Sequence, residues 1–320
     1  MNGAQVLITG ASGWVGEALV FRLLRDRLFV PVAAVRRSSR LSGLCPSIRF
    51  DLDSESELPS LENIKVVVHA AARVHVMHDT CADPLSAFRK TNVEGTVRLA
   101  KKAAEAGVTR FVFISSIKVN GEETVQGSPF CAEDSPQPTD PYGVSKWEAE
   151  SALTVLGRET GMEIVIIRPP LVFGPGVKAN FLSMMNWLHK GIPLPLGAIH
   201  NRRSFVALEN LVDLIVTCIE HPAARGNTFL VSDGEDLSTT QLLQRMAEAL
   251  GKRAYLIPIP CVLLNSAAAM LGKRAMVQRL CGSLQVDMAK TCAILGWLPP
   301  VSVGRALEKT ARHYLDNKAR

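Results

Sequence analysis

Apolar residues in the first half of the chain come in short, nearly unbroken runs, separated by segments in which they recur every three to four residues. Residues 5–9 (QVLIT), 30–35 (VPVAAV), 66–71 (VVVHAA), 110–116 (RFVFISS) and 163–169 (EIVIIRP) each predict a strand. Between them, 16–27, 87–106 and 142–160 carry helical spacing. Strands without polar alternation suit a parallel sheet covered on both faces. Their alternation with helices predicts an α/β fold with a doubly wound sheet. After Pro169 the rhythm breaks into Pro- and Gly-rich stretches, RPPLVFGPG and GIPLPLG, as expected of substrate loops beyond the last strands. Residues 206–221 predict a helix returning to the sheet, 228–232 a further strand and 238–251 another helix.

The expected division is a cofactor-binding domain over 1–170, rejoined by 205–231, and a smaller C-terminal α/β lobe from 171–204 and 232–315. The apolar stretch 257–271 contains Pro258 and Pro260 and falls short of the roughly 18–20 residues that span a bilayer. It reads as a packed loop and helix of the smaller lobe, with contact to a membrane surface as the lesser alternative.

At 320 residues and 47% hydrophobic the chain can bury a large core, which argues against disorder. A net charge of +6 suits an anionic ligand such as a diphosphate. The basic residues are scattered, with no aromatic-studded strip, so nucleic acid is not expected as a partner. Seven cysteines without a CxxC pair suggest reduced thiols and a cytoplasmic protein, with neither a disulfide framework nor a metal site. The N-terminus runs directly into the first strand, with no leader pattern.

Gly10, Gly13 and Gly16 in TGASGWVG follow a strand and open a helix. There the backbone can approach a pyrophosphate whose charge the helix N-terminus meets, so Gly10, Ser12, Gly13, Trp14, Val15 and Gly16 are expected at a dinucleotide. The second strand ends at Arg36 and Arg37, where a carboxylate would grip the ribose of NAD. Arginine there can fork onto a 2′-phosphate, which favours NADP(H). Asp51 and Leu52 are expected near the adenine, and Ala70, Ala71 and Ala72 leave room for the cofactor. Tyr142 and Lys146 lie four apart, on one face of a helix. An ammonium there can stabilise tyrosinate, and a tuned tyrosine can exchange a proton with a carbinol oxygen. Ser116, at a strand end, can bind the same oxygen.

Together TGASGWVG, HAAA (69–72), TNVEGT (91–96), FISSIKVNG (113–121), DPYGVSK (140–146) and RPPLVFGPG (168–176) make the chain resemble an extended short-chain dehydrogenase/reductase of the NAD-dependent epimerase/dehydratase group, over nearly its whole length. The resemblance implies a Rossmann-type fold and Ser116, Tyr142 and Lys146 as catalytic residues. It adds Asn92, on a kinked helix, and Pro169 to the cofactor set. It places Lys118, Asn120, Tyr142, Asn180, Arg203 and Arg279 near a UDP-sugar, Asn120 standing where many relatives carry tyrosine. Implied too is NADPH-dependent reduction of a UDP-4-keto-6-deoxy-N-acetylhexosamine at C4, in O-antigen or other surface-polysaccharide synthesis. The alternative is a UDP-N-acetylhexosamine 4-epimerase that retains NAD. A homodimer packed through 87–106 and 142–160 is expected by the same analogy.

Overall fold

In the computed structural model, residues 3–37, 39–53, 59–74, 83–125, 127–270 and 274–318 are described. The first half runs β1 (Gln5–Thr9), α1 (Trp14–Asp26), β2 (Val30–Val35), β3 (Ser47–Arg49), β4 (Ile64–His69), α2 (Pro84–Arg89), a π-helical turn (Lys90–Glu94), α3 (Gly95–Glu105), β5 (Arg110–Ile114), α4 (Pro141–Thr160) and β6 (Glu163–Arg168). It continues through β7 (Leu171–Phe173), α5 (Ala179–His189), β8 (Phe205–Ala207), α6 (Leu208–Glu220), β9 (Thr228–Leu230), α7 (Thr239–Ala249), α8 (Cys261–Met270), α9 (Arg274–Cys281), α10 (Ala289–Leu295) and α11 (Val303–Lys318).

Seven strands form one parallel sheet in the order β3-β2-β1-β4-β5-β6-β9. The fold is thus a Rossmann-type α/β fold. Alternation along β1 shows how the sequence covers both faces: Val6 and Ile8 pack with Leu19, Leu23 and Ile215 from α1 and α6. Leu7, between them, packs on the other face with Leu99, Ala149 and Leu153 from α3 and α4. Each of these valine, leucine and isoleucine side chains, once fully buried, contributes roughly 1.5–3 kcal/mol. A further apolar cluster gathers α5, α7, α11 and the β7–β8 pair around Phe173, Leu243 and Leu307.

Residues 206–221 are not one helix: Phe205–Ala207 is a strand paired with β7, and α6 begins at Leu208. Apolar residues fit either element, and FVA flows into the amphipathic pattern of α6 without punctuation. β3 and β7 are also three residues long, too short for periodicity to show.

The stretch 257–271 departs furthest from expectation. Cys261 and Leu264 pack inward, but Val262 is 74% exposed, Leu263 60% and Met270 89%. Leu271, like Cys81, lies outside the described residues. The six described cysteines are free thiols. Among the described residues no helix is long and apolar enough to cross a membrane.

Candidate active site

The strand order reverses between β1 and β4, which opens a crevice at their C-terminal ends. A cleft of about 540 Å³ lies there. Nine expected cofactor residues line it: Gly10, Ser12, Gly13, Arg36, Asp51, Leu52, Ala70, Ala71 and Ala72. Gly10 has φ +67°, and a side chain on it would come within 2.8 Å of the Ala71 nitrogen. A side chain on Gly16 would strike the Gly10 carbonyl. Only glycine lets the β1–α1 turn fold this tightly against the segment after β4.

Trp14, Val15 and Gly16 contribute through the backbone. Their N–H groups precede the first helical hydrogen bond of α1, from Glu17 N to the Gly13 carbonyl (2.8 Å), so they can receive an anion. Their side chains do not line the cleft: the Trp14 indole donates to the Pro175 carbonyl (2.7 Å) and Val15 packs on the core. Arg36 lines the cleft, whereas Arg37 is exposed and does not. Arg40 is ion-paired with Glu17. Residues missed in the sequence also line the cleft, among them Phe50, Asp53, Arg73 and Thr91; Asp53 accepts from the Thr91 hydroxyl. The signal for Asp53 was its place in the DLD run at a strand end. The tight β1–α1 turn, the small Ala70–Ala72 wall and the Asp51–Leu52 edge fit a dinucleotide.

Below the cleft, His69 is fully buried. Its Nδ1 lies 2.7 Å from the Thr9 hydroxyl and its Nε2 2.9 Å from that of Thr96. Thr9 in turn accepts from the Ala71 N–H at 3.2 Å, fixing the cleft wall. Burial lowers the His69 imidazolium to about 3, with Lys146 adding repulsion, so this ring is neutral at physiological pH.

Tyr142 and Lys146 stand one turn apart on α4. Asp140 caps that helix, accepting from Gly143 N at 2.6 Å, and Pro141 fills its first position, where the missing N–H costs nothing. Tyr142 meets Phe88 edge-on, with centroids 6.0 Å apart. Burial pushes its phenol above the ordinary value, and the Asp140 carboxylate adds to this. Lys146 is 1% exposed, with its ammonium 4.0 Å from the centre of the Phe113 ring. Burial lowers it to about 7, against the pull of Glu150.

Glu150, a further turn along, was not foreseen, although the four-residue spacing of Tyr142, Lys146 and Glu150 was a readable signal. Its carboxylate receives Arg168 Nη2 at 2.6 Å and Nε at 3.0 Å, and the Ser115 hydroxyl. The pair is almost wholly buried and pins α4 to β6.

Ser115 is therefore committed inward, while Ser116 is half-buried and caps the 3₁₀ turn Ile117–Val119. That turn is fixed from two sides. Pro169, through its carbonyl, accepts from Ile117 N at 3.0 Å, a structural role instead of a place in the cleft. Lys118 pairs with Asp140 and, at 3.3 Å, with Glu122. Its charge thus holds the Ser116 turn against the start of α4.

Asn120 is bonded within the chain as well. It is 2% exposed; its oxygen accepts from Arg168 (2.9 Å) and its amide donates to the Cys131 carbonyl (2.8 Å). Asn92 lies on the π-helical turn, which agrees with the implied kink. It too is buried, bonding both backbone groups of Arg73 (2.8 and 3.1 Å) and the Ser145 hydroxyl (3.0 Å). It ties the cleft rim to α4 instead of lining the cleft.

On the C-terminal side, Arg203 and Arg279 come together: Arg203 Nη1 donates to the Arg279 carbonyl (3.1 Å) and the Gly282 carbonyl (3.0 Å). Burial lowers the Arg203 guanidinium below its usual range. Gly282 also lines a second cavity of about 500 Å³ with Glu123, Cys261, Asn265, Gln278 and Cys281. Arg279 itself is exposed, as is Asn180 in the first turn of α5, and neither lines a cavity.

Residues 6–232 match the NAD dependent epimerase/dehydratase family. A UDP-glucose 4-epimerase of Vibrio cholerae is 48% identical over 314 residues, covering 97% of this chain and 95% of that one. An N-acetyl-alpha-D-glucosaminyl-diphospho-ditrans,octacis-undecaprenol 4-epimerase of Escherichia coli O157:H7 is 26% identical over 97% of this chain and 95% of its own length. Among solved structures, the UDP-glucuronic acid 4-epimerase of Bacillus cereus in complex with NAD superposes with TM-score 0.78 at 20% identity, over 98% and 99% of the two chains, a likeness of fold. The chain belongs to the NAD dependent epimerase/dehydratase family.

Proposed function

We propose that this protein is a 4-epimerase of a UDP-linked hexose or N-acetylhexosamine. The observation that carries the reading is Tyr142 one turn from a buried Lys146 on a helix that the Glu150–Arg168 pair pins. The activity of the Vibrio cholerae relative supports the choice of reaction. A nicotinamide nucleotide, when bound, supplies the hydride exchange at C4. Tyr142 removes the proton from the C4 hydroxyl and returns it after the sugar has presented its other face, so the net reaction needs no outside oxidant. Ser116 donates a hydrogen bond to the same oxygen. Lys146, when charged, favours tyrosinate; an anionic ligand in the cleft raises the share of that charged form. Arg203 and, more loosely, Asn180 and Arg279 are the diphosphate contacts of this reading. The 171–204 and 232–315 segments serve as the substrate lobe, the outer faces of α3 and α4 as the dimer contact, and free thiols suit a cytoplasmic enzyme.

A second reading is favoured by Arg36, which lines the cleft where a 2′-phosphate would lie. It is an NADPH-dependent 4-ketoreductase of a UDP-4-keto-6-deoxy-N-acetylhexosamine in surface-polysaccharide synthesis. Here Tyr142 begins as the phenol and donates its proton to the alkoxide forming at C4. Identifying the nucleotide released by heat, with NADH and NADPH titrations of the emptied protein, separates the two. Tightly held NAD fits the epimerase; an empty cleft that prefers NADPH fits the reductase.

A further inference from the structure

Residues 254–272 contain no charged side chain, yet the described part of this run is largely in solvent. It is held in place, not loose. Leu194 and Gly197 donate to the carbonyls of Tyr255 and Ile257 (both 2.9 Å), and Ile257 donates back to Leu194 (2.8 Å). This pairing sends Leu256 into the apolar cluster and leaves Tyr255 51% and Ile257 48% exposed. α8 repeats the division, with Cys261 and Leu264 inward and Val262, Leu263 and Met270 outward. Positions 262, 266 and 270 share one stripe of the helix, with 263 beside it; Ser266, in the middle, turns its hydroxyl back to the Val262 carbonyl (3.0 Å). The result is an outward, largely apolar strip where a soluble surface ordinarily scatters such residues singly.

The charges around it select the occupant. From Ala249 to Val286 the sequence has no Asp or Glu, but it has Lys252, Arg253, Lys273, Arg274 and Arg279; the acids that come near are Glu248, at the end of α7, and Glu123, which lines the cavity shared with Cys261 and Asn265. Lys252 and Arg253 are exposed at the start of the strip, and Arg253 leans over the Tyr255 ring at 5.9 Å. A second copy docked here would set these cations against their own equivalents, because a two-fold contact pairs a patch with itself. A partner apolar within and anionic at its surface answers both features. α8, with ten residues, is about 15 Å long and cannot span a bilayer. It can lie in the interface plane with basic residues at the headgroups.

We propose that the 255–270 face docks on an anionic phospholipid bilayer. Tyr255, Ile257, Val262, Leu263 and Met270 enter the acyl boundary, and Lys252 and Arg253 sit among the headgroups. The proposal is independent of which sugar reaction the cleft performs, because docking is read without turnover.

The test is flotation of the full chain with phosphatidylcholine vesicles, with and without one-third phosphatidylglycerol, alongside sedimentation velocity without lipid. Wild type is expected to float with the anionic vesicles and to be released in part by high salt. The Val262→Glu/Leu263→Glu double variant is expected to lose at least about tenfold in partitioning, with an unchanged melting temperature. Should that pair disturb folding, Met270→Glu, on the outermost turn, replaces it. Wild type remaining at the bottom of the gradient overturns the proposal. So does undiminished flotation of the variants. An oligomer that dissociates in Val262→Glu/Leu263→Glu, without vesicle binding, assigns the face to a second copy and overturns it equally.

Discussion

The α4 helix and the α8 strip break the inside–outside rule in opposite directions. Around α4, charge is buried: Lys146 is 1% exposed, and Glu150 and Arg168 are nearly so. Around α8, apolar bulk is exposed. Either inversion costs free energy unless something compensates it. Within α4 the compensation is internal. Glu150 is met by Arg168 and Ser115, Arg168 by Asn120, and Asn120 by the Cys131 carbonyl. At α8 nothing among the described residues supplies it, and the bilayer proposed above would. A buried ion pair that is fully partnered tells of positioning; an exposed apolar strip points to a partner.

The comparison breaks most visibly at Tyr142. Tyr142→Phe is expected to lower turnover by about 10²- to 10⁴-fold while sparing nucleotide binding, read by steady-state kinetics beside a cofactor titration. Next comes Glu150→Ala, which strands Arg168 in the interior. A loss of roughly 3–5 kcal/mol in urea unfolding is expected; a near-neutral result would mean that water reaches the pair and that α4 is not pinned there.

Lys146 gives the comparison a pH axis. Its ammonium is lowered to about 7 in the folded chain against an ordinary 10.5. Across that window the unfolded chain binds more protons than the folded one, so Lys146 makes stability rise with pH and adds no slope below it. Lys146→Met is expected to flatten the rise between about pH 7.5 and 9.5 in urea midpoints. Arg36→Ala has a smaller reach: about tenfold weaker NADPH, from the loss of a charge-assisted contact, with NADH unaffected. Smallest of all, Leu263→Ser is expected to change stability by no more than about 0.5 kcal/mol, because the side chain buries little. The same exchange at Leu99, 1% exposed in the sheet core, should cost several times more.

Much of the cofactor half was legible. Gly10, Gly13 and Gly16 lie after a strand and before a helix, and the cleft formed there with the expected Asp51–Leu52 and Ala70–Ala72 walls. Such motifs can be read because local backbone geometry dictates them. The partners of Asn120 and Lys118 were not legible because they are distant in sequence. Arg168 lies 48 residues from Asn120, and Asp140 lies 22 from Lys118. The α8 strip was misplaced for another reason: an apolar run carries no mark of whether its partner is the same chain. Glu150 was readable from spacing, but its burial with Arg168 required the packing of α4 on β6.

The most direct test of the proposed reaction is ¹H NMR of UDP-glucose and UDP-N-acetylglucosamine incubated with wild type and with Tyr142→Phe, without added reductant. The account predicts that wild type brings at least one of these substrates to a mixture of C4 epimers, while the variant leaves it unchanged over the same period. No interconversion by wild type, with NADPH consumed on a UDP-4-keto sugar, would contradict the epimerase and establish the reductase. Equal interconversion by wild type and variant would remove Tyr142 from the mechanism altogether.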